Sequence, residues 1–282
     1  MISKLGLVDL DTRDNSFYVL YNWCIKGAFS DTELIKLGNK MISNLSIDIE
    51  KLNTDSVFTR SFSVLVLCGV LKADGLFYSG EIKNRKSFLS GEMFNNWLDQ
   101  ATESFIKEKD LRGYLEDKSW AHSIAHFADL LIRFSLSPHC SRDNHLKILD
   151  TLAKKLVQPA NSVFNTYEDG RLGRVVTTIL MRNLISENDF KSWLLEFEPI
   201  FEKSMWSTMK ENPKNLNVQF NAKTNTRMFL SKIYFMILFG DKEFVEMKEY
   251  TTSDLIRNKK SILDMLSLTL KRIDIEGLFK KD

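Results

Sequence analysis

Apolar residues recur along the chain with a spacing close to 3.6 residues, and two-residue alternation is nearly absent. This spacing predicts helices, because it gathers apolar side chains on one face of a helix. Capping sequences such as 30–33 mark helix starts, and Pro138 or Gly240 follow helix ends. The predicted helices span residues 14–27, 31–46, 55–73, 91–108, 117–136, 142–157, 168–184, 187–205, 222–239 and 253–272.

Short connections join most of these predicted helices, so that consecutive helices can pack as antiparallel pairs. Successive pairs build α-solenoids of the HEAT or armadillo type, as well as other α/α arrays. We therefore expect an all-α fold of about ten helices, either an irregular α-solenoid or an α/α array. No stretch resembles a flexible linker, which predicts a single domain over residues 1–282 with a weak subdivision near 206–221.

Charge and composition narrow the function classes. The 282 residues include 39 Lys and Arg and 37 Asp and Glu, which gives a net charge of +2. A net charge this small does not indicate bulk nucleic-acid or anionic-membrane binding. The longest apolar stretch, 62–71, is shorter than the ~20 residues that span a bilayer. The N-terminal segment lacks the features of a secretory signal, and three scattered cysteines suit a reducing compartment. We expect a cytoplasmic protein, without a membrane segment, that binds a protein or a small molecule.

One predicted helix, 117–136, has an unusual distribution of polar residues. At ~100° per residue, His122, His126, Asp129 and Arg133 fall within an arc of about 60°. Ala, Ile, Phe, Leu and Ser occupy most of the remaining surface, where an ordinary surface helix carries Lys and Glu. This pattern predicts a buried helix whose polar stripe faces a cavity or a hydrogen-bonded network.

Three chemical interpretations of this stripe remain open. His122, His126 and Asp129 can together ligate a divalent metal ion, although the glutamate of the H-E-x-x-H motif is absent. One histidine can instead act as a general base oriented by the carboxylate. Alternatively, Asp129 and Arg133 satisfy the imidazoles in a structural network.

Charged residues elsewhere in the chain are candidates for the opposite wall of the same pocket. Arg60 lies in an apolar run and needs an acidic partner, for which Asp74, Asp129 and Glu168 are the candidates. Gly170 and Gly173, beside further charges, allow a neighbouring helix to approach closely. The complete candidate set is Arg60, Asp74, Trp120, His122, His126, Asp129, Glu168, Asp169 and Arg171.

Several of these residues lie in strings that resemble a known family. The strings are Asp-Leu-Arg-Gly-Tyr at 110–114, Trp-Ala-His-Ser-Ile-Ala-His-Phe-Ala-Asp at 120–129 and Glu-Asp-Gly-Arg-Leu at 168–172. Together with Arg60, Asp74, and 226–230 with Tyr234, they resemble the uncharacterised bacterial domain-of-unknown-function family numbered 2785. The resemblance extends from about residue 55 to about residue 240. It implies a helical, bacterial, cytoplasmic protein and no particular activity.

Two function hypotheses follow from the residues. The first is a module that binds a protein or small ligand without catalysis, through a polar pocket lined by His122, His126 and Asp129. The second is a metal-dependent hydrolase in which those three residues hold the ion and Glu168 or Asp169 transfers a proton.

Overall fold

The structure is a computed structural model that describes residues 1–202, 205–211, 213–240 and 256–274, and it confirms the all-α fold. In the described residues, one antiparallel hairpin joins β1 (Tyr114–Leu115) and β2 (Ser119–Trp120). The α-helices are α1 (Leu10–Ile25), α2 (Asp31–Asn44), α3 (Ser56–Ser79), α4 (Gly91–Lys107), α5 (Ser123–Leu136), α6 (Arg142–Val157), α7 (Glu168–Arg182), α8 (Glu187–Leu195), α9 (Met205–Glu211), α10 (Leu216–Phe239) and α11 (Lys259–Ile273). Short 3-10 helices span Ile2–Lys4, Glu198–Phe201 and Pro213–Asn215.

The chain divides into two compact units, residues 1–144 and 145–282, with the division inside α6. The single domain and the solenoid arrangement stay predictions.

Helix α3 forms the centre of the first unit, where it packs against α1, α2 and α5. It is apolar on most sides, and most of its residues are buried. By length and hydropathy it is the one described helix that could cross a membrane, and 72% of its most apolar window is buried inside the protein. Such burial is typical of the core helix of a water-soluble protein.

Helix α10 has the corresponding role in the second unit, where it packs against α7 and α11. The close approach of α7 depends on Gly173, since a Cβ at that position would lie 3.0 Å from the sulfur of Met236. Helix α11 in turn packs against α8 and the 3-10 helix Glu198–Phe201.

The bounds of five predicted helices agree within four residues with α1, α2, α4, α6 and α7. Helix α8 ends at Leu195, ten residues before the predicted end, and α10 begins at Leu216, six residues before the predicted start. Helix α3 continues past Gly75, where the prediction ended it, and ends at Ser79, with Gly80 as its C-cap in the left-handed region with φ of 77°. A Cβ at Gly75 would meet nothing within 4 Å, so this glycine is an ordinary helical position. The predicted helix 253–272 corresponds to α11, and 253–255 lie outside the described residues.

The contact between α2 and α4 in the first unit depends on a glycine. A Cβ at Gly38 would lie 2.1 Å from the Trp97 ring, whose Nε1 donates a hydrogen bond to Asn39 Oδ1 at 2.8 Å. Because Trp97 is only 1% exposed, its ring has little room to move aside.

We therefore expect Gly38→Ala to destabilise the protein by about 1–3 kcal/mol, the usual range for overpacking a well-packed site. Gly75→Ala is the matched control and should stabilise by about 0.5–1 kcal/mol, because its methyl group meets no neighbour and alanine favours a helix. Urea unfolding of both variants measures the difference. Equal effects of the two substitutions would contradict this account of the α2–α4 contact.

Candidate functional site

The segment before α5 differs from its prediction. Residues 117–122 were expected to form the first turns of a helix, but β1 and β2 form a hairpin there and α5 begins at Ser123. The amides of Ala121 and His122 donate to the carbonyls of Gly113 (2.9 Å) and Arg112 (3.0 Å), so these backbone groups belong to the hairpin connection. Tertiary hydrogen bonds thus override a helical residue pattern.

His122 is the N-cap of α5 and lies in the left-handed region with φ of 47°. Ser119 has φ of 63°, so two non-glycine residues within four positions adopt a conformation that side chains disfavour. Such backbone strain persists only where the surrounding structure determines it, and it is concentrated at functional sites. His122 therefore joins the predicted stripe from the helix cap, not from the helix itself.

Four aromatic side chains, Tyr114, Trp120, His122 and His126, form a continuous series of ring contacts, which we call the aromatic platform. Tyr114 meets Trp120 edge-on with ring centroids 5.0 Å apart, and Trp120 stacks on His122 at 4.8 Å. The ring of His126 lies 5.7 Å from that of His122. His122 is 8% exposed, whereas Trp120 and Tyr114 are 42% and 52% exposed.

The hydrogen bonds of His126 indicate which of its nitrogens carries the proton. Ser61 Oγ lies 2.5 Å from the carbonyl oxygen of Ala121 and 2.7 Å from His126 Nδ1. Because the carbonyl can only accept, the serine hydroxyl donates to it and accepts from Nδ1–H. The neutral ring is therefore the Nδ1–H tautomer, with Nε2 as its basic atom. Ser61 is fully buried and its proton is committed to a carbonyl, which argues against a nucleophilic role.

Arg60 pairs with Glu108, which corrects the expectation of Asp74, Asp129 or Glu168 as its partner. Arg60 Nε donates to Glu108 Oε2 at 2.7 Å and Nη2 donates to Oε1 at 2.9 Å, and both side chains are 0% exposed. Glu108 also accepts from the hydroxyl of Ser123 at 3.0 Å and from the amide of Asp110 at 3.0 Å. The pair thus connects α3 to the end of α4 and to the first residue of α5.

Two further arginines hold the hairpin in place. Arg112 donates to both carboxylate oxygens of Asp110, and these hydrogen bonds raise the pKa of the arginine. Arg13, on α1, donates to the carbonyl of Lys118 at 3.3 Å from both Nη atoms and lies over the Phe62 ring at 4.6 Å. Burial lowers the pKa of Arg13. The aromatic platform is therefore fixed to α1 and α3.

Asp74 has a structural role in the described contacts, since it closes the segment after α3. Its Oδ1 accepts from Ser87 Oγ at 2.9 Å and from the amides of Phe88 and Leu89 at 2.8 and 3.0 Å. Its Oδ2 lies 3.2 Å from His139 Nε2. These partners differ from Arg60, with which the prediction grouped it.

Asp129 and Arg133 follow His126 on the half-buried face of α5, between faces of buried apolar residues. The predicted division of this helix into an apolar body and one polar stripe is therefore observed from residue 126 onward. Within the part of the chain that the structure describes, no group of three or more His, Cys, Asp or Glu side chains is arranged to hold a metal ion.

The remaining candidates, Glu168, Asp169 and Arg171, lie in the second unit at the start of α7. Glu168 is 1% exposed and accepts from the amide and the hydroxyl of Thr166, while Asp169 lies 3.9 Å from Lys232 Nζ. The N-cap of α7, Tyr167, has φ of 72°, and its ring lies under Lys232 Nζ at 5.1 Å. A pocket shared by these residues and His122 stays a prediction.

Together these features define a predominantly helical protein whose first unit presents an aromatic platform on a buried polar network. The family model described as Protein of unknown function (DUF2785) matches residues 45–235, more than half of the chain. The chain therefore belongs to the DUF2785 family. No curated protein and no solved structure matches it significantly.

Sequence reasoning did not select Glu108, Ser61 or Arg13 for this site. Glu108 lies two residues before the string 110–114, and Ser61 directly follows Arg60. Their closeness in sequence to the selected residues was the signal that could have identified them. Arg13 had no such signal, because it lies 105 residues from Lys118.

Breaking the buried ion pair should be strongly destabilising. We expect Arg60→Met to lower the free energy of unfolding by about 3–5 kcal/mol, because it leaves the Glu108 carboxylate buried without its cation. The double change Arg60→Met with Glu108→Leu should be less destabilising than Arg60→Met alone. As a control, Lys107→Ala removes the exposed Lys107–Glu103 pair and should change stability by less than about 1 kcal/mol. Urea unfolding decides, and a small effect of Arg60→Met would show that the pair is dispensable.

The Ser61 bridge can be tested by stability and by spectroscopy. Ser61→Ala leaves His126 Nδ1 and the Ala121 carbonyl without this partner and should cost about 1–3 kcal/mol. Ser16→Ala is the control, because the hydroxyl of this buried serine donates to the Thr12 carbonyl within its own helix at 2.7 Å, and the effect should be under about 1 kcal/mol. Nitrogen-15 chemical shifts should identify neutral His126 as the Nδ1–H tautomer, and an Nε2–H tautomer would refute the assigned bond directions.

Proposed function

We propose that this protein is a non-catalytic binding module and that its ligand stacks on the aromatic platform. The observation that carries the proposal is the pair of outer rings, Trp120 and Tyr114, which are 42% and 52% exposed although they sit on a rigidly anchored hairpin. An exposed ring on a rigid base offers a large contact area that loses little conformational entropy on binding.

The shape of the platform favours a ligand with a flat aromatic face. One face of Trp120 lies against His122 in a stacked arrangement, with an interplanar angle of 26°. A planar group stacking on the outer surface of Trp120 would continue this series, in the offset geometry that aromatic rings prefer. The imidazoles of His122 and His126 add polar groups beside the stack. An aromatic side chain of a protein partner and a planar small molecule share this chemistry.

The same features support binding over chemistry. Two carboxylates at the base of the hairpin, Glu108 and Asp110, are 0% and 1% exposed and are paired with arginines, so they are poorly placed to exchange protons with a ligand. The metal-dependent hydrolase built on His122, His126 and Asp129 stays a prediction from sequence. We further propose a cytoplasmic location, which fits the three buried free cysteines.

Replacing Trp120 should abolish binding of small aromatic probes. We expect indole and p-cresol, titrated into nitrogen-15-labelled protein, to shift the indole N–H resonance of Trp120 and the amide of His122 in a saturable way. Trp120→Ala should remove the saturable shift at His122, with a loss of stability of about 1 kcal/mol from the lost ring contacts.

Trp23→Ala provides the matched control. Trp23 is 43% exposed and contacts Phe29 edge-on at 5.8 Å, so it resembles Trp120 in exposure but lies outside the platform. This variant should retain the shifts at His122. Equal shifts at Trp23 and Trp120, or shifts at His122 that persist in Trp120→Ala, would contradict a site at the platform.

A further inference from the structure

The tip of the hairpin carries two exposed carboxylates beside the aromatic platform. The register pairs Tyr114 with Trp120, and the amide of Lys118 donates to the carbonyl of Leu115 at 3.2 Å. Glu116 and Asp117 are therefore the central residues of a tight turn, and both are exposed. This turn places negative charge at the end of the two strands that carry the outer rings.

Chain geometry keeps these carboxylates close to the rings. Adjacent Cα atoms lie about 3.8 Å apart across a trans peptide bond. The Cα atom of Glu116 is therefore within about 7.6 Å of that of Tyr114, and the Cα atom of Asp117 is within about 11.4 Å of those of Tyr114 and Trp120. At low ionic strength, where the screening length exceeds about 10 Å, both carboxylates act on an ion at the platform.

The cations with described contacts to this region already pair with carboxylates of their own. These pairs are Lys118 with Asp55, Arg13 with Asp14, and Arg112 with Asp110. Within the part of the chain that the structure describes, Glu116 and Asp117 have no ion-pair partner. The hairpin tip therefore carries an excess of negative charge that a ligand can neutralise.

The exposed rings favour positive charge for an independent reason. The face of an aromatic ring is the negative part of its quadrupole, and tryptophan attracts cations more strongly than the other aromatic side chains do. The rings of Trp120 and Tyr114 are inclined at 68° with centroids 5.0 Å apart, so a ligand on one ring also lies near the other. The rings and the carboxylates thus favour a ligand of the same charge.

We propose that the ligand of the aromatic platform is a small organic cation whose charge is spread over a flat aromatic ring, as in an N-alkylated pyridinium. The ring stacks on the outer surface of Trp120, with Glu116 and Asp117 beside it as counter-charges. This inference rests on the proposed function and adds the charge of the ligand to it. A neutral aromatic side chain of a protein partner would leave both carboxylates without a counter-charge, which favours a small cation as the ligand.

A charge series of ring compounds of similar size tests the proposal on the wild-type protein. The probes are 1-methylnicotinamide, which is cationic, 5-methylnicotinamide, which is neutral, and nicotinate, which is anionic. Nitrogen-15 spectra at low ionic strength and about pH 8, where an ordinary imidazole is neutral, follow the indole N–H of Trp120 and the amide of His122. The cation should bind about five- to thirtyfold more tightly than the neutral compound, and nicotinate should bind more weakly than either.

Salt and ligand shape test the two parts of the proposal separately. Raising sodium chloride from about 20 mM to about 500 mM should reduce the preference for the cation at least about threefold, because salt screens exposed charges. Tetramethylammonium carries the same charge without a flat ring. It should bind at least about tenfold more weakly than 1-methylnicotinamide, because it cannot stack on Trp120.

Two double variants test whether the charge preference comes from the hairpin tip. Glu116→Gln with Asp117→Asn should reduce the ratio of the affinities for 1-methylnicotinamide and 5-methylnicotinamide at least about threefold. Glu81→Gln with Glu92→Gln is the matched control, because it removes two exposed carboxylates and the same net charge. These glutamates follow α3 and begin α4, roughly 25 Å along each helix from the buried ion pair that joins the other ends of α3 and α4. Circular dichroism checks that each variant is folded.

The possible results separate the charge of the ligand from the site itself. Equal affinities across the charge series, or an equal loss of preference in the control variant, would overturn the cationic ligand and leave the platform as a binding site. Tetramethylammonium binding as tightly as 1-methylnicotinamide would overturn the flat ring. Absence of saturable shifts at Trp120 and His122 with every probe would overturn the proposed function together with this inference.

Discussion

The buried ion pair between Arg60 and Glu108 is the constraint on which the first unit depends. Two charges at 0% exposure are tolerated only when geometry and additional hydrogen bonds offset the loss of water. Glu108 meets this condition by accepting from Arg60, Ser123 and the Asp110 amide. Because those partners belong to α3, to the first residue of α5 and to the segment after α4, satisfying one carboxylate fixes where three parts of the chain meet.

The strained backbone of the hairpin is a consequence of these contacts around Glu108. Residues Ser119 and His122 hold left-handed conformations that are unfavourable for side chains other than glycine. The carbonyl of Lys118, bound by Arg13, and that of Ala121, bound by Ser61, are fixed by buried donors on either side of the strained turn. The network therefore supplies the free energy that keeps Trp120 in one orientation at the surface, where a free hairpin of two-residue strands would be unstable.

Helix periodicity predicted most of the fold, and it failed where long-range polar contacts determine the structure. The bounds of α2, α4 and α6 follow from apolar spacing and caps, which are local signals. The start of α5 could not be found this way, because the amides of Ala121 and His122 bond to a segment that has no periodic relation to them. The partner of Arg60 lies 48 residues away in the chain, and several acids were equally plausible from sequence. The stripe of His126, Asp129 and Arg133 was visible, because residues three or four apart share one helix face.

Hydrogen bonds from side chains to backbone carbonyls have different structural consequences in the two units. In the first unit, Arg13 on α1 binds the carbonyl of Lys118 and Ser61 on α3 binds that of Ala121, and the hairpin that they hold carries the exposed rings of Trp120 and Tyr114. In the second, the short polar side chains Asn221 and Thr226 bind carbonyls near the end of α6 across a gap, so the product is a recess. Long side chains can reach a carbonyl while packing their stems against rings, as Arg13 does over Phe58 at 4.4 Å. A short side chain reaches a carbonyl only where the two backbone segments lie close together. The open space of the second unit therefore lies beside these hydrogen bonds.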